Sequence, residues 1–85
     1  MSKNKQISKN LDLSEKLAYY IAAHPTLNTK FPKGSAYVAF SATDAKLNAA
    51  NKKLVINLNK EGKKIIKAQE TKNENKPWNF SVASI

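Results

Sequence analysis

Residues 36–66, AYVAFSATDAKLNAANKKLVINLNKEGKKII, read as strand, helix, strand. Ala36 to Ser41 alternates, with Val38 and Phe40 on one face and Tyr37, Ala39 and Ser41 on the other. Thr43-Asp44 then opens a long helix that runs to Glu61. Leu47, Ala50, Asn51, Leu54 and Leu58 share one face of it, with Val55 beside them. Gly62 stands where a helix needs a left-handed terminal residue. Lys64 to Glu70 is the second strand, with Ile65 and Ile66 as its apolar pair. A passage of this length favours a right-handed crossover between two parallel strands.

Upstream, Leu11 to His24 reads as a first helix. Asp12 and Glu15 have capping-box spacing, and Leu13, Leu17, Tyr20, Ile21 and His24 fall on one face. Pro25 ends it, Thr26 to Phe31 is one further helical turn, and Pro32-Lys33-Gly34 is a turn. Residues 1–10 hold three lysines and little apolar surface, which reads as a mobile basic arm ahead of a single domain at 11–85. Downstream, Thr71 to Pro77 is a polar loop. Trp78 to Val82 is a third strand with Trp78, Phe80 and Val82 on one face. The order is α-β-α-β-β. The expected fold is a two-layer α/β sandwich: a three-stranded mixed sheet with both helices on one face and the other face open.

Composition narrows the function classes. The 85 residues carry fifteen lysines and no arginine against six acids, for a formal charge of +9. With no cysteine and one histidine, disulfide scaffolds and thiolate or histidine-rich metal sites are excluded. No apolar run approaches the ~20 residues of a membrane helix, and no secretory signal follows the basic N-terminus, so a cytoplasmic protein without cofactor is expected. A core this small makes a partner, including a second copy, a natural source of stability.

No catalytic constellation is visible. His24 lies at a helix end, and Asp12, Glu15, Asp44, Glu61, Glu70 and Glu74 occupy helix ends, strand ends or loops. Ser41-Ala42-Thr43-Asp44 leads from a strand into a helix, but it lacks a glycine-rich phosphate loop, and Asp44 repels anions.

Two resemblances follow from the motifs. Lys33-Gly34-Ser35-Ala36-Tyr37-Val38-Ala39-Phe40 resembles the RNP1 octamer of RNA-recognition-motif domains, with Ser35 where an aromatic belongs and no aromatic strand before the first helix. It implies a base stacked on Tyr37 with Lys33 at a phosphate. The second covers about residues 10–68: Asn10-Leu11-Asp12-Leu13, Leu17, His24-Pro25-Thr26-Leu27, Phe31-Pro32-Lys33-Gly34, Asp44, Leu47, Asn51 and Glu61-Gly62-Lys63-Lys64-Ile65-Ile66. This pattern resembles an uncharacterised family of small prokaryotic α/β proteins. It implies the same element order and no activity.

The expected function is therefore non-enzymatic binding. Low-specificity association with nucleic acid, RNA foremost, would use Lys33, Tyr37 and Lys67 on the open sheet face, Lys67 joining them if Ile66 is the buried isoleucine. The stripe Lys46, Lys53 and Lys60 on the long helix, and the basic arm, would add affinity. The alternative is a protein-interaction module, a homodimer or a small regulator docking on a larger protein, through Ile56, Trp78 and Phe80. Arginine is the residue suited to bidentate base readout, and its absence argues against sequence-specific recognition.

Overall fold

A computed structural model describes residues 2–83. Met1 of the expected arm and residues 84–85 of the expected domain lie outside the described residues. Helix α1 spans Lys3–Ala23 and is followed by a 3-10 helix at Pro25–Lys30. Strand β1 is Ala36–Phe40, helix α2 is Ala45–Lys60, β2 is Ile65–Glu70 and β3 is Trp78–Ala83. The sheet order is β1-β2-β3, with β1 parallel to β2 and β2 antiparallel to β3. The protein is thus a small α/β fold in α-β-α-β-β order. No helix among the described residues is long and apolar enough to cross a membrane.

The expected boundaries of α2 hold because its caps are chemical. The Asp44 carboxylate accepts the Leu47 N–H at 3.0 Å. At the other end Gly62 takes φ +81°, which lets Lys63 N–H reach Leu58 O at 3.1 Å and Gly62 N–H reach Asn59 O at 3.0 Å. Gly34 has φ +78° in the turn closed by Ser35 N–H on Pro32 O.

Helix α1 begins eight residues earlier than Leu11. The residues read as a mobile arm are its first two turns, capped by the Ser2 hydroxyl on the Lys5 N–H. They are held by polar contacts, which an inventory of apolar residues does not detect. Gln6 Nε2 and Asn10 Nδ2 both donate to Asn51 Oδ1, and Asn51 Nδ2 donates to Asn10 Oδ1 and Ala39 O, all at 2.8–3.1 Å. Extending a helix already nucleated at Leu13 and Leu17 is cheap, so these contacts suffice.

The two helices do not share one face. Leu13 and Leu17 of α1 pack with Ala39, Ala68 and Trp78, joined by Leu47 from the start of α2. Val55 and Leu58 of α2 pack with Val38, Phe40 and Ile65. Consecutive strand residues point to opposite faces, so α1 covers one side of the sheet and α2 passes around the edge of β1 onto the other. Consequently Val38, Ala39 and Phe40 are all buried, and so are both Ile65 and Ile66. Each such isoleucine contributes about 1.5–3 kcal/mol by leaving water. The buried face of α2 is accordingly rotated from the one expected: it centres on Leu47, Asn51 and Val55, while Leu54 is exposed.

Asparagines of α2 close the outer edge of β1. Asn48 Oδ1 accepts the Ser41 N–H at 2.7 Å and its Nδ2 donates to Ser41 O at 2.8 Å, while Asn51 holds Ala39 O. Two side-chain amides thus stand in for a fourth strand.

Candidate functional site

The surface available for binding follows from this placement. On the face covered by α2, the helix lies over β1 and the first part of β2, leaving the rest of the sheet as the floor of a groove of about 520 Å³. Phe40, Lys67, Ser81 and Ala83 form the floor; Lys52, Val55, Ile56 and Asn59 form the wall. Lys67 Nζ sits 4.7 Å from the centroid of the Phe40 ring, a cation–π contact that keeps the ammonium in the groove. Asn59 Nδ2 reaches Ala83 O at 3.4 Å and ties the end of α2 to β3.

Lys46, Lys53 and Lys60 lie exposed on α2, one per seven residues. Seven residues of helix rise about 10.5 Å, so they form a stripe about 21 Å long. Lys46 and Lys53 also border a second groove, toward Gln6 of α1, with Ala50, Leu54 and Asn57. Among the described residues only Lys9 and Lys16 pair with carboxylates, Asp44 at 2.6 Å and Glu70 at 3.7 Å. None of the lysines of α2 forms a direct ion pair with a carboxylate among the described residues.

Tyr37 is not beside Lys67. It lies on the α1 side, edge-on to Phe31 and Phe80 at ring-centroid distances of 6.3 and 6.1 Å, whereas its β1 neighbours Val38 and Phe40 share the face of Lys67. Burial pushes its phenol pKa up from the ordinary value. Lys33 stays exposed in the turn before β1. The structure thus separates Lys33 and Tyr37 from Lys67, because α1 covers the side of the sheet that the alternation of β1 left to solvent. The sequence signal for this was the near-continuous apolar run Ala36 to Phe40, the mark of a strand covered on both faces. Trp78 is 4 % exposed in the core and Phe80 packs against it, so of the three residues considered for a protein interface only Ile56 is exposed.

The junction of β1 with α2, where open α/β sheets commonly bind ligands, is already satisfied internally. Ser41 Oγ accepts the N–H groups of Thr43 and Asp44, Glu70 Oε1 accepts that of Ala42, and Asp44 accepts that of Leu47. The N–H groups of Ala42, Thr43, Asp44 and Leu47, four of the donors an anion at this junction would meet, are thus already taken. Lys9 and the Leu47 N–H hold the Asp44 carboxyl below the usual carboxylate range. His24 Nδ1 donates to Tyr20 O at 2.8 Å, and its ring stacks on Tyr20. Among the described residues no three His, Asp or Glu side chains gather as metal ligands.

One family model matches the chain, over residues 5–78, and is described as a family of unknown function, DUF5647. No curated protein and no solved structure matches it.

Proposed function

We propose, for a chain that belongs to the DUF5647 family of unknown function, a non-catalytic role as a small basic domain that associates with nucleic acid, RNA foremost, at low sequence specificity. The observation that carries this reading is the stripe Lys46, Lys53 and Lys60, exposed on α2 and in no ion pair among the described residues. Lys52 and Lys67 extend the positive surface into the adjoining groove. Contacts of this kind neutralise backbone phosphates and release counterions, so they attract any polynucleotide. Lysine supplies point charges rather than the planar fork that reads bases, in keeping with low specificity.

Tyr37 shares a small cleft with Lys33 but lies apart from Lys67 and the lysines of α2, which changes the mechanism expected from the octamer Lys33 to Phe40. Binding rests on charge, with the Phe40–Lys67 floor as the apolar contact, and not on a base stacked over Tyr37. Replacing Lys46, Lys53 and Lys60 together by glutamine tests it. Gel retardation of single-stranded RNA at low salt should weaken at least tenfold, while far-UV circular dichroism stays unchanged. Retention of full affinity in that variant would overturn the reading.

A further inference from the structure

Among the described residues, β3 is the one strand whose outer edge is left uncovered. Ala36 N–H bonds Lys64 O, and Thr71 N–H bonds Pro77 O. With the register of β2 on both neighbours, this turns the backbone groups of Asn79, Ser81 and Ala83 toward β2. Those of Phe80 and Val82 therefore point away from the sheet, and none of them meets a partner among the described residues. The opposite edge, at β1, is blocked by Asn48 and Asn51. Proteins usually protect a free edge with lysine, proline or a bulge. Here, in a chain with fifteen lysines, β3 reads Trp-Asn-Phe-Ser-Val-Ala and holds no charge. Val82 is 60 % exposed at its end.

We infer that β3 pairs antiparallel with β3 of a second copy, about a two-fold axis at Ser81. In this register Phe80 of each chain lies opposite Val82 of the other, and their outward N–H and C=O groups exchange four hydrogen bonds. An aromatic opposite a β-branched residue is a favourable cross-strand pair, and here it occurs twice. The self-complementarity is what a closed two-fold interface requires. Self-complementarity makes a second copy of this chain the occupant, and the absence of charge on β3 permits it: two molecules of charge +9 can approach along this strand without setting lysine against lysine. The result is a continuous six-stranded sheet. The axis is normal to the sheet, so both Phe40–Lys67 grooves open on the same side, flanked by the two α2 helices.

Light scattering of the full chain, followed by site-directed cross-linking, tests this. The wild-type protein should show twice the mass of one chain at high micromolar concentration, and Val82→Lys, which sets a charge on the exposed edge, should return it to one. Ser81→Cys supplies the position check. A central non-hydrogen-bonded pair brings the two Cα atoms to about 4.5 Å, within disulfide range, and the chain has no other cysteine. Ser81→Cys should therefore cross-link on mild oxidation, whereas Asn79→Cys, on the same face of β3 but two residues from the axis, should not. A single-chain mass for the wild type overturns the inference. So does a dimer that survives Val82→Lys, or one in which Asn79→Cys cross-links as readily as Ser81→Cys. These readouts are independent of RNA retardation, so the pairing and the nucleic-acid reading can fail separately.

Discussion

Asn51 is fully buried, and its side-chain amide makes four hydrogen bonds, two as donor and two as acceptor. That is the full capacity of the group. It joins three elements at once: the first turns of α1, the middle of α2 and the edge of β1. Asn51→Asp keeps the shape but turns a donor toward Ala39 O into an acceptor. The expected loss is about 1–3 kcal/mol in urea unfolding, with amide exchange rising first over residues 3–10, whose anchors it removes. Asp44 is the second residue with a distinct signature. Its carboxyl pKa is lowered by Lys9 and by the Leu47 N–H, so the stability it contributes is present at neutral pH and is lost as pH falls through the lowered value. Asp44→Asn keeps an N-cap acceptor but not the charge. Its thermal midpoint should fall less than that of the wild type between pH 7 and pH 2.

At the scale of elements, the parts whose signals are local were legible. The span of α2 follows from Asp44 and Gly62, and the turn before β1 from Pro32-Lys33-Gly34, because a cap or a positive φ is a property of one or two residues. The beginning of α1 was hidden because Gln6 and Asn10 find their partner 45 and 41 residues away. The rotated face of α2 was hidden for a related reason: Ala50 and Leu54 suit a core face by periodicity as well as Val55 does, and only the position of the β1 edge decides between them. Gly62 offers a prediction here. A Cβ at this position would meet nothing within 4 Å, so Gly62→Ala carries only the conformational cost of φ +81°. We expect a loss of about 1 kcal/mol, read as a lower denaturant midpoint with an unchanged slope.

For the whole molecule, class and element order were legible from the strand–helix–strand passage and the third strand, while the sides taken by the helices were not. Alternation in β1 is ambiguous when both faces are apolar. The run Ala36 to Phe40 suits a strand between two helices, yet Val38 and Phe40 alone suggest one buried face. That one difference moves Tyr37 from the surface to the α1 side and leaves Lys67 with Phe40 in the groove. The candidate lysines of α2 were legible because exposure of a seven-residue repeat opposite an apolar face needs no tertiary information. The proposed binding therefore rests on a charged helix rather than on a stacking aromatic, and Tyr37→Leu, which removes the ring, should leave RNA affinity within about twofold in an anisotropy titration, since residue 37 lies away from the lysines of α2.

The most direct measurement is the salt dependence of that affinity. Binding of a fluorescent single-stranded RNA is titrated from about 50 to 200 mM salt, and the logarithm of the association constant is plotted against that of salt concentration. Three lysine–phosphate contacts per chain predict a slope near −2, with DNA of the same length bound comparably and a flatter line for the Lys46, Lys53 and Lys60 glutamine variant. No binding at about 50 mM salt and micromolar protein, or an affinity indifferent to salt, would contradict the account.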